Sequence, residues 1–368
     1  MGFHRVFARR IPADPAARPL RGGACAAYAS PRATRFCPAP TAPLPVTLSA
    51  PVPARPITVG ICTRNRRASL LRGLRALRHA ADVIDRVIVV DDGSDVPVEP
   101  GLREELGEDV PPGLTVLRAD PPAGPTPGRN RIAREARTPW ILYLDDDAVL
   151  LSGDAVRAGM AVLERDPSVA MIAYPQSDAA GTLLPAGAQP SAATEPSLVR
   201  AFIGFAHLAR RQAVLDVGGY REVLQIMGEE RELSVRLLDA GHRIVYLPAH
   251  PVAHLADAAG RDAKRFLHLT VRNDVLTALL NEPLPLALAT VPVRLWRYFP
   301  MRRGWGGDDP GGFRRILRAV GASLPELRRA RRPVRWRTMR EWWRLAESPP
   351  YHPPQDASPS SSSPKDAP

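Results

Sequence analysis

Residues 140–147 read WILYLDDD, an apolar run that ends in three consecutive carboxylates. A short continuous apolar run with aromatic residues is typical of a buried β-strand. In an extended chain, residues i and i+2 point the same way, so Asp145 and Asp147 can face one ion. Carboxylate oxygens at a strand end suit Mg²⁺ or Mn²⁺. An acidic loop that caps the following helix is the alternative that this stretch leaves open.

Four similar apolar runs lie before and after this strand. They are ITVGIC at 57–62, RVIVV at 86–90, LTVL at 114–117 and VAMIAY at 169–174. Helical patterns at 70–77, 129–137 and 154–165 separate them, and Asn65 or Ser69 is the predicted N-cap of the first. Strands that are apolar on both faces and alternate with helices predict an α/β fold. Its central sheet is mostly parallel and flanked by helices.

Polar residues also follow two of the other strands. They are Thr63, Arg64 and Asn65 after the first strand, and Asp91 and Asp92 after the second. In open α/β sheets ligands bind outside the carboxyl ends of the strands, so we expect these residues and the three carboxylates to line one site. Asp91 or Asp92 can accept a hydrogen bond from a ribose or a base. An Asp-Gly turn explains the same pair without a ligand.

Charge, missing motifs and cysteine spacing argue against several classes of protein. The formal net charge is +12, almost all of it from arginine, because Lys264 and Lys365 are the only lysines. A basic balance without a binding fold is a weak sign of a nucleic-acid partner, which we do not expect. The chain has no Walker-type phosphate loop and no strand-linked GxGxxG, which argues against an NTPase or a dinucleotide enzyme. Cys25, Cys37 and Cys62 form no CxxC, which predicts a reducing compartment with neither disulfide nor zinc.

Six short motifs occur in a fixed order between about residues 56 and 275. They read ITVGICTRNR, VIVVDDGS, GPTPGRNRIAREA, WILYLDDDAVL, VGGY followed by GEERELSVRLLDAG, and IVYLPAHPVAH. This series resembles the family 2 type of inverting glycosyltransferases, whose nucleotide-diphospho-sugar transferase fold is called GT-A. The resemblance implies metal-dependent transfer of a sugar from a nucleotide-sugar donor to a hydroxyl acceptor, with Mn²⁺ or Mg²⁺ as the cofactor. The products would be cell-surface polysaccharides, glycolipids or related glycoconjugates.

The resemblance also implies roles for individual residues. The donor-binding positions are Thr63, Arg64, Asn65, Asp91, Asp92, Arg129, Asn130, Asp145 and Arg236. The metal ligands are Asp145, Asp147 and His254, with His250 as the alternative to His254. Glu229 and Glu230 stand where the family has Glu-Asp, whose second acid is the catalytic base. Glu230 is therefore the implied base, although it is one methylene longer than the family's aspartate.

Helical spacing gives an independent reason to favour Glu230. The segment after Gly228 is predicted to be a helix whose apolar stripe includes Leu233 and Leu237. Glu230 precedes these residues by three and seven positions, so we expect it to lie toward the buried side. Partial burial would raise the pKa of its carboxyl and make it a better proton acceptor. Both acids also suit the positive end of a helix without any catalytic role.

The predicted organisation has four parts. Residues 1–55 form a disordered leader, 56–265 the GT-A domain, 266–345 a basic helical region and 346–368 a disordered Pro/Ser tail. No run reaches the roughly 18 consecutive apolar residues that a transmembrane helix needs. We therefore expect a cytoplasmic protein. The strong preference for arginine over lysine is typical of a GC-rich genome, and we expect a bacterial source.

The basic region carries 15 arginines and four acids between Arg294 and Arg344, with aromatic residues interleaved. This composition predicts that it lies on the anionic inner face of the plasma membrane, where a lipid-linked acceptor would be found. An arginine-rich helical hairpin packed on the catalytic domain is the alternative. Two other functions stay open as well, a nucleotidyltransferase and a non-catalytic protein that binds a nucleotide sugar or a nucleic acid.

Overall fold

The computed structural model describes residues 56–255, 262–304 and 309–354. The predicted leader, with Cys25 and Cys37, and residues 355–368 of the predicted tail lie outside the described residues. The eleven strands of the described part are β1 (Ile57–Thr63), β2 (Ile84–Asp91), β3 (Thr115–Arg118), β4 (Trp140–Asp145), β5 (Ala148–Val149), β6 (Val169–Ala173), β7 (Gln176–Ser177), β8 (Ser197–Leu198), β9 (Ala206–Arg210), β10 (Arg243–Tyr246) and β11 (Val252–His254).

The described α-helices number twelve. They are α1 (Arg67–Ala76), α2 (Leu102–Leu106), α3 (Pro125–Glu135), α4 (Asp154–Arg165), α5 (Arg211–Asp216), α6 (Glu229–Asp239), α7 (Ala263–Asn281), α8 (Leu284–Trp296), α9 (Tyr298–Gly304), α10 (Gly312–Ala322), α11 (Leu324–Ala330) and α12 (Trp336–Arg344). Short 3-10 turns connect several of them.

The central sheet has eight strands in the order β3-β2-β1-β4-β9-β6-β10-β8. β3, β2, β1 and β4 are parallel to one another, and β6 is parallel to β10. β9 runs antiparallel to both β4 and β6, and β8 runs antiparallel to β10. A small second sheet has the order β5-β11-β7. The prediction of a mixed α/β fold with a large, mostly parallel sheet is confirmed.

The alternation of side chains along β4 explains why helices cover both faces of the sheet. Trp140, Leu142 and Leu144 point into one apolar cluster, where they meet α1 and α4. Ile141 and Tyr143 point into a second cluster with residues of α3, α5 and α6. Successive residues of a strand face opposite sides, so a continuously apolar strand requires an apolar layer on each side.

Two helices begin at other residues than the pattern predicts. α1 begins at Arg67 without a side-chain cap, and Asn65 instead forms a turn in which its side chain bonds to Asp95. α3 begins at Pro125, four residues before the predicted start at Arg129. Proline is favoured in the first turn of a helix, because its missing N–H would have no helical partner there.

The C-terminal helices pack on the GT-A region and are continuous with it. α7 begins at Ala263, so the predicted boundary after residue 265 falls inside a helix. Trp342 of α12 is buried against Val235 of α6, and Leu276 and Leu280 of α7 form a cluster with Leu224. These contacts favour the packed-hairpin alternative for this part of the region.

Part of the predicted tail is ordered. Pro350 forms an antiparallel bridge with Ser197, and the backbone N–H of Tyr351 donates to the carbonyl of Pro196 at 2.9 Å. The ring of Tyr351 is buried, and its hydroxyl donates to Asp166 at 3.1 Å. Residues 346–354 therefore correct the expectation that disorder starts at 346. One aromatic ring and a sheet edge hold a segment whose composition is otherwise polar.

Candidate functional site

The predicted polar residues meet at one edge of the central sheet. In the strand register, Thr63 lies beside Asp91 and Cys62 lies beside Asp145. The carboxyl ends of β1, β2 and β4 therefore lie side by side at one edge of the sheet. Parallel strands in register bring their ends to the same edge, which is where ligands bind in this class of sheet.

Asp145, Asp147 and His254 form a compact cluster at this edge. One possible ligand atom from each lies within 4.8 Å of those of the other two. β11 brings the histidine there, because His254 pairs with Ala148 of β5, one residue past Asp147. Asp146, the middle acid, turns away and accepts a hydrogen bond from the Thr63 hydroxyl at 2.7 Å. The cluster contains His254, whereas His250 is not a member of it.

The partners of His254 set the orientation of its ring. Its Nδ1 lies 2.5 Å from Oε1 of Gln176, and the ring stacks on Phe205 with centroids 5.0 Å apart. An amide oxygen accepts, so Nδ1 donates to Gln176 and Nε2 faces the carboxylate of Asp147 at 3.2 Å. One imidazole nitrogen and two carboxylates thus converge on one point. The donor set therefore fits a divalent metal.

Two arginines neutralise the acids of this edge. Arg66 contacts Asp146 at 3.2 Å and Asp147 at 3.0 Å. Arg129 contacts Asp145 at 3.0 Å. Burial raises the pKa of Asp146 to about 6, against the opposing effects of the hydrogen bond from Thr63 and the charge of Arg66. The edge is therefore a strongly polar site of mixed charge.

Arg129 connects the carboxylate cluster to a pair of glutamates. It is buried on the second turn of α3, where its guanidinium lies over the ring of Tyr220. One nitrogen contacts Asp145, and the other donates to Glu229 at 3.0 Å. The acid pair at the start of α6 is thus adjacent to the candidate metal site.

The relative burial of the two glutamates is the reverse of the prediction. Glu229 is 1% exposed, whereas Glu230 is half-buried and accepts a hydrogen bond from the N–H of Gly204 at 3.2 Å. The prediction used the apolar stripe of α6 alone, but the side chain of Arg129 on α3 contacts Glu229. Burial, then repulsion from Glu230, raises the pKa of Glu229 to about 8, and the attraction of Arg129 only partly opposes this rise.

Comparisons with known proteins agree with this geometry. Residues 58–207 match the model of glycosyl transferase family 2. The pre-mycofactocin glycosyltransferases of two Mycobacterium tuberculosis strains are each 30% identical over 214 residues, which is 54% of this chain and 43% of theirs. The chain thus spans less than half the length of these relatives. The fold of this domain is of the GT-A type.

Two solved structures share the fold of this GT-A domain. One is the mannosyltransferase PcManGT from Pyrobaculum calidifontis in complex with GDP-Man and Mn²⁺, with a TM-score of 0.50, 16% identity, and 81% of this chain and 90% of that chain covered. The other is residues 1–349 of S. aureus TarS in complex with UDP, with a TM-score of 0.50, 18% identity, and 79% and 90% covered. At these identities the likeness concerns the fold alone.

The first loops of the GT-A domain hold several predicted donor-binding residues. Arg64 and Asn65 are exposed just past β1, as a ligand-facing loop requires. Asp91 accepts hydrogen bonds from the N–H groups of Ser94 and Val98 and from Arg118, and these contacts lower the pKa of its carboxyl. Asp92 accepts from the N–H groups of residues 123 and 124, just before α3. Asp91 thus has the structural role of the turn interpretation, whereas Asp92 joins the turn after β2 to the segment before α3.

Asn130 and Arg236 form hydrogen bonds with other protein groups near the candidate site. Asn130 bonds to the backbone of Tyr220 through both of its amide atoms. Arg236 donates to Glu232 at 2.8 and 2.5 Å and to the carbonyl oxygens of Val217 and Gly219. In the described part of the chain these partners engage both side chains. Their predicted contact with the donor remains a prediction.

Three further residues shape the site, and the sequence did not single them out. Arg66 was quoted in the first motif without a role, although it pairs with two of the three aspartates. Gln176 orients His254 from 78 positions away. Gly204 brings its backbone against both Glu230 and Arg129. The sequence offered a signal only for Arg66, which is a further polar residue of the first loop. Gln176 and Gly204 act through contacts between residues far apart in the chain.

Proposed function

We propose that the protein transfers a sugar from a nucleotide-sugar donor to a hydroxyl acceptor in a metal-dependent reaction. The observation that carries this proposal is the convergence of Asp145, Asp147 and His254 with the Glu229–Glu230 pair, joined through Arg129. The named neighbours bind GDP-Man with Mn²⁺ or UDP. They support a UDP- or GDP-sugar as the donor and Mn²⁺ or Mg²⁺ as the metal.

Asp145, Asp147 and His254 would hold the metal. When bound, a divalent ion there would neutralise the charge that develops on the diphosphate leaving group. The protein's own residues supply the rest of the electrostatic environment. Arg66 and Arg129 pair with the aspartates and offer positive charge to the phosphates at the same edge. The exposed loop at 64–65 would lie beside the nucleotide.

Glu230 is the general base in this proposal. A base must reach the acceptor hydroxyl, and Glu229 is 1% exposed with one oxygen paired to Arg129. Glu230 is more exposed, and the N–H of Gly204 orients its carboxylate. Proton removal by one carboxylate with direct displacement at the anomeric carbon would invert its configuration. The acceptor that we propose is a hydroxyl of a lipid-linked or polysaccharide precursor.

A nucleotidyltransferase and a non-catalytic binding protein would each require fewer of these residues than a glycosyltransferase does. A nucleotidyltransferase would use the metal acids without the glutamate pair on α6. A non-catalytic binding protein would need neither that pair nor its buried arginine. The Arg129 link between the metal acids and the glutamates therefore favours a transferase.

The test is donor binding and turnover in matched variants. Thermal unfolding with a panel of UDP- and GDP-sugars, each with Mn²⁺ or with EDTA, should show one donor that raises the Tm only with metal. Asp147→Asn should abolish this rise and the turnover of that donor. Asp85→Asn, at the opposite end of β2 and half-exposed, should leave both unchanged. Metal-independent turnover that survives Asp147→Asn would refute the proposal.

A further inference from the structure

Helix α8 presents an unusual outer face. The residues that point away from the protein are Leu284, Pro285, Leu288, Ala289, Pro292, Val293 and Trp296. All seven are apolar, and they repeat at the spacing of one helix side. Leu288, Val293 and Trp296 are each more than 60% exposed. A continuous exposed apolar stripe of this kind marks an interaction surface.

The inner side of α8 is firmly held, so its outer face has a defined orientation. Arg294, on the inner side, is buried and forms ion pairs with Asp274 and Glu282. Thr290 adds a hydrogen bond to Glu282 at 2.7 Å. Breaking a buried ion pair is costly, which keeps the helix seated on α7. The apolar stripe is therefore a fixed feature of the surface.

Positive charge lies at the C-terminal end of this stripe. The ring of Trp296 lies 5.0 Å from that of Phe299, and Arg302 lies over the same Phe299 ring at 5.8 Å. Arg303 follows in the chain and is exposed, as is Arg314 beside the neighbouring aromatic cluster. Among the described residues, neither Arg303 nor Arg314 has an acidic partner. An apolar stripe with an amphipathic tryptophan and unpaired arginines complements an anionic lipid surface.

The dimensions of α8 also suit a helix that lies on a bilayer. Its 13 residues span about 20 Å, too short to cross the hydrocarbon core of about 30 Å. No helix of the described residues has the length and hydropathy to span a membrane. We propose that the outer face of α8, with its arginine end, docks the protein onto an anionic lipid surface. This goes beyond the proposed function and does not depend on it.

A second copy of the chain is a poorer occupant of this face. The stripe is about 20 Å long and about 10 Å wide, the dimensions of one side of a helix. Its area is thus a fraction of the roughly 800 Å² per partner that a stable interface buries. An interface through this stripe would also confine the unpaired arginines of both copies. A lipid headgroup layer instead offers anions to them.

The structure limits which aromatic residues can contribute. Tyr298 and Trp342, two of the aromatic residues interleaved with the arginines, are buried in the protein. Trp296, Trp336 and Trp343 remain exposed. Among the described residues of the C-terminal region, exposed apolar residues form a continuous stripe on α8 alone. The proposed lipid-facing surface is therefore the outer face of α8.

The experiment is flotation of the full chain with vesicles. The vesicles contain either phosphatidylcholine with phosphatidylglycerol or phosphatidylcholine alone. Leu288→Glu/Val293→Glu places two charges on the stripe. Both side chains are largely exposed, so we expect the variant to fold. Val96→Glu/Leu183→Glu makes the same change in charge at exposed apolar residues of the GT-A domain. Analytical ultracentrifugation without vesicles reports the oligomeric state of each protein.

We expect the wild type to float with the anionic vesicles and to bind the neutral ones about tenfold more weakly. The α8 variant should bind anionic vesicles at least about tenfold more weakly than the wild type, since two apolar anchors are lost. The control variant should bind like the wild type. Equal losses in both variants, equal binding to both vesicle types, or no flotation at all would overturn the proposal. So would a dimer that only the α8 variant disrupts. The donor-induced rise in Tm tests the proposed function separately in the same samples.

Discussion

Glu229→Gln should change the pH dependence of stability in a way that the buried site predicts. The carboxyl of Glu229 faces Arg129 from α3 and Glu230 on its own helix, with Asp145 of β4 and Tyr220 also acting on it. Its folded-state pKa is raised from 4.5 to about 8. A carboxyl with a raised pKa binds its proton more tightly in the folded state. Ionisation of Glu229 therefore costs stability as the pH rises from about 4.5 to about 8.

The magnitude follows from the size of the shift. One pKa unit corresponds to about 1.36 kcal/mol, so a rise from 4.5 to about 8 amounts to about 5 kcal/mol. Local rearrangement and water entry reduce the penalty of a buried charge, and we expect about 2–4 kcal/mol. A glutamine cannot ionise and keeps an oxygen that accepts from Arg129. The variant should therefore match the wild type near pH 4.5 and be more stable by this amount above pH 8.

The assay is urea unfolding in EDTA at several pH values between 4.5 and 8.5. Glu232→Gln is the matched control, the same substitution three residues along α6. Glu232 is fully buried, and the charges of Arg236 and Arg221 and their hydrogen bonds lower its pKa despite burial. Its ionised form stabilises the fold above the unfolded pKa, and this contribution is lost as the pH falls through the folded pKa. Glu232→Gln should destabilise at pH 7, by about 3–5 kcal/mol for a broken buried pair.

The reasoning is supported if, at pH 8, Glu229→Gln raises the free energy of unfolding and Glu232→Gln lowers it. The reasoning fails if the free energy of unfolding of Glu229→Gln runs parallel to that of the wild type across the whole pH range. It also fails if both variants are destabilised alike at pH 8. Either result would mean that Arg129 holds Glu229 ionised at no cost to the fold.

The remaining predictions concern turnover and packing. Glu230→Gln should lower turnover by about 10²-fold or more while donor affinity, measured by calorimetry, stays within about twofold, as expected for a lost general base. Gly204→Ala would place a Cβ 2.6 Å from the Glu230 carboxylate and should lower turnover in steady-state assays. Gly321→Ala, with open space around it on α10, should leave turnover unchanged and stabilise by about 0.5–1 kcal/mol in urea unfolding. Gly60→Ala would place a Cβ 2.4 Å from Ile132 and should cost about 1–3 kcal/mol in the same measurement, whereas an unchanged midpoint would contradict the tight packing of α3 on β1.

The edge of the sheet that carries the site could be predicted from local sequence. Continuous apolar runs identify buried strands, and the alternation of the intervening helices makes those strands parallel. Parallel strands end at one edge, so Thr63, Asp91 and Asp145 had to lie together, as the register shows. The two-residue period of a strand also predicted that Asp145 and Asp147 face one point. They do lie together, although β4 ends at Asp145 and the next two aspartates form a turn.

The burial of individual acids could not be predicted in this way. Glu229 and Glu230 are neighbours on one helix, and the apolar stripe of that helix favours Glu230 as the buried one. In the structure Glu229 is the buried one, and it pairs with Arg129, one hundred residues earlier in the chain. Periodicity within an element reports the side that is buried on average. The partner that covers a given side chain belongs to another part of the chain.

The sequence by itself determined the sheet, the edge that carries the candidate site and the spacing of the candidate metal acids, because these depend on short-range patterns. The tertiary structure alone decided that Gln176 orients His254 and that Arg129 joins the two groups of acids. It also decided that the apolar run at 283–293 forms a surface helix with one uncovered face. Hydrophobicity in the sequence measures the tendency of a side chain to be buried. Whether the fold provides a covering surface depends on contacts between residues far apart in the chain.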